Sequence, residues 1–267
     1  MATDCLISVI CSTYNRPDAL GLTLSSLRCQ TDRHFEVLVA DDGSTDETRR
    51  VVRDFTIKAP FTVRHVWHED QGFRLAAIRN LALSQARGEY VLFLDGDCIA
   101  SPHWIGNHRL LAEAGWTVSG QRILTTQDFC REIVSRPDFA DDFDWSVASL
   151  KRLAREKKIN RWHPGIFFGV NTLCFWRKWR PSNWKIIRGC NWGMWRRDLE
   201  RAGGFNEAIV GWGHEDSDLA IRLMNNGVRF KSGSFATVVL HLWHKEANRD
   251  KAAQNWKTAT ANLKQHF

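Results

Sequence analysis

Four short apolar runs, each followed by a polar loop and then a stretch of helical spacing, restrict this chain more than any other feature. Leu6-Ile7-Ser8-Val9-Ile10-Cys11 comes first, then residues 35–40, 63–67 and 90–94. After the first run, Leu20, Leu24 and Leu27 recur one helical turn apart behind Asp18 as a cap. Ser44 or Thr45 can cap a second helix, with Asp46 and Glu47 in its favourable first turn. Residues 75–86 supply a third helix that stops at Arg87-Gly88. Strands alternating with helices pair in parallel through right-handed crossovers, which predicts an α/β fold with a mostly parallel, Rossmann-like sheet.

Ligands of such sheets gather beyond the carboxyl ends of the strands. Asn15, Asp42, Asp95 and Asp97 all lie just after a strand-like run, so they are expected to converge at one edge. Asp95-Gly96-Asp97 directly follows Tyr90-Val91-Leu92-Phe93-Leu94. A buried strand ending in two acids is costly unless something positive neutralises them. A divalent cation bridging to a diphosphate would do so, since hard cations favour carboxylate and phosphate oxygens together.

From about residue 129 to 188 the pattern changes. Asp141-Asp142-Phe143-Asp144 gives way to the basic residues 151–158, then to Phe167-Phe168 and Phe175-Trp176-Arg177-Lys178-Trp179-Arg180. This reads as an insertion, partly helical and partly surface loop. The core resumes at Gly189-Cys190-Asn191-Trp192-Gly193, with a short helix near 198–202 and the Gly203-Gly204-Phe205 turn. A helix over 216–226 carries Leu219 and Leu223 and stops at Gly227. Two strand-like runs, 228–231 and 237–241, lead into a polar, helical tail.

A net charge of +7 suits an anionic partner: a nucleotide diphosphate, an anionic lipid or a nucleic acid. Nucleic-acid binding would leave the acidic strand ends without a task and set them against phosphate. Thirteen tryptophans against two tyrosines also supply flat apolar faces suited to sugar rings or a membrane interface. No stretch approaches the ~20 apolar residues that span a bilayer. The first residues lack a secretory pattern, so the cytoplasm is the expected location, with peripheral contact at an anionic membrane face through the Arg/Lys/Trp/Phe region. Seven scattered cysteines without a Cys-x-x-Cys pair point to reduced thiols rather than a zinc site or disulfide framework.

Four signatures stand in order: Ser12-Thr13-Tyr14-Asn15-Arg16, Asp41-Asp42-Gly43-Ser44, Asp95-Gly96-Asp97 and Gly211-Trp212-Gly213-His214-Glu215-Asp216. Together they resemble family 2 glycosyltransferases of the GT-A fold, and the last is similar to a motif of the β-galactosyltransferases. Residues 69–80 carry a likeness to the N-acetylgalactosaminyl half of bacterial chondroitin polymerases. The resemblance implies one GT-A domain over 1–267: a nucleotide-binding half to about residue 120, a variable insertion over 121–188, and an acceptor-binding, catalytic half over 189–267. It implies an inverting, metal-dependent transferase that moves a hexose or N-acetylhexosamine from a UDP-sugar to a hydroxyl of a lipopolysaccharide or capsule glycan. A catalytically silent carbohydrate- or nucleotide-binding relative is the alternative.

The resemblance also implies a task for each position. Tyr14 packs against uracil, while Ser12, Thr13, Asn15 and Arg16 line the nucleotide pocket. Asp42 accepts the uracil N3–H, or else caps the helix after Ser44. Arg79 pairs with the diphosphate or steers Asp95. Asp95 contacts the ribose or the metal shell, Asp97 binds Mn²⁺ or Mg²⁺, and His244 completes the shell. His241 is a second candidate, on the same side as His244 only if the strand ends there. Asn191 and Trp192 contact the donor sugar, with Trp192 and Trp212 as stacking platforms. Asp216 is the general base and Glu215 binds sugar hydroxyls. His214 stands where many relatives have glycine.

Overall fold

The computed structural model describes residues 4–167, 170, 174–261 and 263. Its strands are β1 (Ile7–Thr13), β2 (Phe35–Asp41), β3 (Val63–Trp67), β4 (Tyr90–Asp95), β5 (Cys98–Ala100), β6 (Trp116–Ser119), β7 (Gln121–Leu124), β8 (Asn191–Trp195), β9 (Arg229–Ser232) and β10 (Val238–His241). The four strands expected from the apolar runs are β1 to β4, and they pair in parallel in the order β3-β2-β1-β4. β8 adds antiparallel to β4, β6 adds antiparallel to β8, and β9 closes the seven-stranded sheet parallel to β6. A smaller sheet has the order β5-β10-β7.

Every residue of β1 and β2 is buried, because helices cover both faces of the sheet. Side chains of a strand alternate between faces, and the cores follow that period. Ile7, Val9, Cys11, Leu92 and Leu94 face Leu20, Leu24 and Leu27 of helix Pro17–Arg28. Ile10, Val91 and Phe93 face Ile78 and Ala82 of helix Leu75–Gln85, and Leu219 and Leu223 of helix Glu215–Asn225. The insertion is partly helical as expected, with helices Gln127–Val134 and Val147–Arg155 capped by Thr126 and Ser146. Their Phe129, Ile133, Leu150 and Leu153 cover the smaller sheet at Ile99, Ile123 and Leu240.

Two caps differ from expectation. Helix Pro17–Arg28 begins one residue before Asp18, which instead pairs with Arg16 at 3.0 Å. Helix Asp46–Lys58 starts after Thr45 without a cap bond from the Thr45 side chain. The Thr45 backbone N–H donates instead to Asn15 Oδ1 at 2.9 Å, and the Asn15 N–H donates to Ser44 Oγ at 2.8 Å. The loop after β1 therefore caps the helix after β2, locking the two strand ends together. Among the described residues no helix is long and apolar enough to cross a membrane.

Asn191 and Trp192, expected at the donor sugar, are structural. Trp192 is fully buried, and its indole N–H donates to Thr117 Oγ1. It has no face open for a ring to stack on. Asn191 is also fully buried and joins the two sheets. Its Oδ1 accepts from the Trp104 indole at 2.9 Å, and its Nδ2 donates to the Gln121 and Thr237 carbonyls at 2.9 and 2.8 Å. Replacing it with an isosteric apolar residue strands those partners in a dry core. Asn191→Leu is expected to lower unfolding stability by roughly 2–4 kcal/mol, read from urea denaturation midpoints.

Candidate active site

The carboxyl ends of β1, β2 and β4 open into a cleft of about 1250 Å³. Ser12, Thr13, Tyr14, Asn15, Arg16, Asp42, Arg79, Asp95, Asp97, Trp212, Glu215, Asp216 and His244 all line it, and His241 joins them. Of the residues given a binding or catalytic task from the sequence, Asn191 and Trp192 lie away from this cleft.

At one end stand Tyr14 and Asp42. The Tyr14 hydroxyl donates to Asp70 Oδ2 at 2.9 Å, which leaves its ring about half exposed. Gly43 sits at φ 93°, and a Cβ there would meet the Asp70 backbone at 2.5 Å, so glycine is required for this close approach. Asp42 accepts from His68 Nε2 at 2.6 Å and from the Arg74 backbone N–H at 2.8 Å. Burial pushes its carboxyl up, against the pull of those two donors. Asp42 does not cap the following helix; the Ser44 N–H goes to Asp41 Oδ1 at 2.9 Å. The sequence reading gave no role to His68, and its contact crosses between loops that local spacing cannot relate.

Arg79 lies at the centre, with 1 % of its side chain exposed. Its guanidinium reaches Asp95 at 2.9 Å, Ser12 Oγ at 3.0 Å, Glu215 at 3.3 Å and the Gly189 carbonyl at 3.4 Å. Of its two expected tasks, the structure displays the second: it holds Asp95. Burial raises the Asp95 carboxyl, and Arg79 opposes that. Glu215 is pushed up to about 7 by burial and by the charge of Asp216, again against Arg79. Asp216 accepts from the Gly189 N–H at 3.3 Å and from Ser217 Oγ at 3.3 Å. Its helix starts abruptly, since Gly211, Gly213 and His214 all hold positive φ. His214 takes this strained position despite its Cβ and packs 5.0 Å from Trp256.

Beyond Asp95 the chain turns through Gly96, whose N–H donates to the Ser12 carbonyl at 2.6 Å. Asp97 then faces two histidines: Oδ1 is 3.7 Å from His241 Nε2, and Oδ2 is 3.5 Å from His244 Nε2. Their ligand atoms all lie within 4.8 Å of one another, a spacing that fits one divalent ion. His244 Nδ1 lies 3.0 Å from the Lys245 carbonyl. A carbonyl can only accept, so a neutral His244 making this bond carries its proton on Nδ1 and leaves Nε2 for an ion. The strand ends at His241, so both imidazoles come to the same side. Asp95, expected among the metal ligands, stands outside this trio with its carboxylate engaged by Arg79.

The sequence reading missed several cleft residues. Arg122, Lys185, Arg188, Lys245 and Arg249 bring positive charge, and Trp184 and Trp256 add aromatic surface 6.0 Å apart. Arg249 lies 4.5 Å over the Trp212 ring. Phe175, Trp176 and Trp179 are instead solvent-facing, and the last two stack at 5.7 Å. Phe168 lies outside the described residues.

Comparison with known proteins places this geometry in context. Residues 8–200 match the model of glycosyl transferase family 2, and residues 172–245 that of the N-terminal domain of galactosyltransferase. Chondroitin synthase of Escherichia coli is 28% identical over 250 residues, which is 85% of this chain and 33% of that protein. Validoxylamine A glucosyltransferase of Streptomyces hygroscopicus subsp. jinggangensis is 28% identical over 270 residues, 92% of this chain and 56% of that protein. The chain thus spans only part of these relatives' length. In structure it resembles S. aureus TarS, with a TM-score of 0.62 and 18% identity over 96% of this chain and 39% of that one. A mannosyltransferase from Pyrobaculum calidifontis in complex with GDP-Man and Mn²⁺ gives 0.59 and 22% over 98% and 63%. These likenesses bear out the expected GT-A fold.

The Arg79 network yields a test. Both acids it holds are raised by burial, so their favourable contribution is intact at acid pH. For Glu215 it is lost as pH climbs from the ordinary 4.5 through about 7. Without Arg79 that loss deepens. Arg79→Met is expected to destabilise the fold by roughly 3–5 kcal/mol at pH 8 and by clearly less at pH 5, measured by denaturation at both values.

Proposed function

Since the chain belongs to glycosyl transferase family 2, we propose that it moves a hexose or N-acetylhexosamine from a UDP-sugar to a hydroxyl of a bacterial cell-surface glycan, with inversion. The observation that supports this reading is the gathering, in one cleft, of the Tyr14–Asp42 end, the Asp97–His241–His244 trio and the Glu215–Asp216 pair.

The nucleotide binds where the Tyr14 ring offers an open face and Asp42 retains lone pairs for an N–H donor such as uracil N3. Asp97, His241 and His244 would hold a divalent cation, and mixed imidazole and carboxylate ligation suits Mn²⁺ better than Mg²⁺. When bound, such a cation neutralises the diphosphate and stabilises the departing UDP. Asp216 takes the proton from the acceptor hydroxyl as its oxygen attacks the anomeric carbon, opposite the breaking bond to UDP. One displacement inverts that carbon. Glu215, partly protonated near neutrality, can both donate to and accept from sugar hydroxyls. Trp184, Trp212 and Trp256 offer ring faces, and Lys185, Arg188 and Lys245 suit an anionic glycan. The chondroitin synthase likeness accords with such an acceptor. A silent binding relative would have no need of the Asp97, Asp216 and His244 set.

UDP is expected to raise the melting temperature more with Mn²⁺ than with EDTA. Asp97→Ala should remove only the Mn²⁺-dependent part; an equal loss in EDTA removes its role as ligand. Asp216→Asn should keep UDP affinity and lose turnover by roughly 10²–10⁴-fold. Lost nucleotide affinity with turnover intact would overturn that assignment.

The reading extends to contact with an anionic membrane face through Phe175, Trp176 and Trp179, which are 69%, 66% and 58% exposed. Flotation with anionic vesicles should retain the protein, and Trp176→Ser with Trp179→Ser should release it. Identical flotation of both proteins sinks the extension.

A further inference from the structure

Three residues from distant parts of the chain meet behind the Asp97–His244 contact. Cys98 is the first residue of β5 and pairs with His241 at the end of β10. Cys190 immediately precedes β8. The two sulfurs and an imidazole nitrogen lie within 4.8 Å of one another. Asp97 Oδ1 stands beside this trio, 3.7 Å from both Cys98 Sγ and His241 Nε2. Tetrahedral zinc holds sulfur at ~2.3 Å and nitrogen at ~2.0 Å, which sets neighbouring ligand atoms a little under ~4 Å apart. The three atoms are therefore within about an ångström of the spacing one ion requires.

The donor chemistry separates it from the trio proposed for the sugar nucleotide. Asp97–His241–His244 offers oxygen and nitrogen alone, whereas two thiolates select softer ions. Arg122 Nη1 approaches Cys190 Sγ at 3.7 Å. Cys98 is fully buried and Cys190 nearly so, while Cys190 and His241 line the cleft. An ion can enter from the cleft, and the site then shields it from water.

We propose that Cys98, Cys190 and His241 form a site for a thiophilic divalent cation of the Zn²⁺ class. Occupancy draws His241, the residue the two clusters share, away from the hard-ion trio and silences the transferase. Binding forms two metal–sulfur bonds and releases one proton from each thiol, with no change of oxidation state. The silencing rests on the proposed function; the binding does not.

Co²⁺ titrated into the reduced protein tests the binding through its thiolate-to-metal absorption. The natural protein should develop that band with one equivalent, and Zn²⁺ should abolish it. The Cys98→Ala, Cys190→Ala double variant should lack it, and His244→Ala should retain it. Cys190→Ala alone, altered at the cleft wall, should weaken Co²⁺ affinity at least tenfold even if the double variant does not fold. No band in the natural protein, or an equal band without Cys190, overturns the site. In a Mn²⁺-supported assay, Zn²⁺ should inhibit the natural protein at concentrations at least tenfold lower than Cys190→Ala requires; equal inhibition overturns the silencing. Absence of transfer from any UDP-sugar, with the Co²⁺ band present, would count against the proposed function and leave this site standing.

Discussion

A buried guanidinium projecting from a helix holds the working face of this protein together. Arg79 comes from the helix between β3 and β4, yet it touches the end of β1 at Ser12, the end of β4 at Asp95, the loop before β8 at Gly189 and the first residue of a distant helix at Glu215. A buried charge is tolerable only when opposite charges and hydrogen bonds surround it. The two carboxylates are tolerable in turn because Arg79 is there. Phe93 and Phe205 flank the guanidinium at 5.7 and 5.3 Å, so its plane is packed as well as paired. The first half of the chain is thereby joined to the second within the cleft.

Around that centre, separate devices set separate parts of the cleft. Asn15 and Ser44 tie the loops after β1 and β2, which positions Tyr14 and Asp42 as a unit. Gly96 lets the chain after β4 approach Ser12 closely, and the Leu242 N–H donates to the Asp97 carbonyl at 2.8 Å. The smaller sheet thus delivers His241 and His244 to Asp97, while Asn191 fastens that sheet to the larger one. The insertion packs behind the smaller sheet through its apolar helix faces. Removing that cover would expose the strand that ends at His241.

Much of the site was readable because polar residues after apolar runs must emerge at strand ends. Ser12, Thr13, Tyr14, Asp42, Asp95 and Asp97 are cleft residues for that reason. Trp192 misled because a tryptophan in a glycine-rich segment suits a sugar platform as well as a core; the deciding fact is the strand on either side of it, β4 and β6. β6 and β7 are four residues each, too short for periodicity to announce. Trp184, Arg188, Arg249 and Trp256 sit in a single 3-10 turn, in loops or in the last described helix, where local spacing says nothing about what they face. The cysteines show the same limit: spacing argued against a zinc site, but spacing is blind to a cluster assembled from residues 98, 190 and 241.

The linear order of residues was by itself enough to determine the parallel α/β plan, the edge at which acids collect and the family, since these follow from alternating period and from short contiguous motifs. Tertiary structure alone decided which groups share charge and which share a prospective ion. Arg79 became a clamp for Asp95 and Glu215, His241 came round to join His244, and Asn191 and Trp192 withdrew into the core. The physical reason is that burial and electrostatics depend on distance in space, and residues brought side by side by strand pairing can be more than a hundred positions apart.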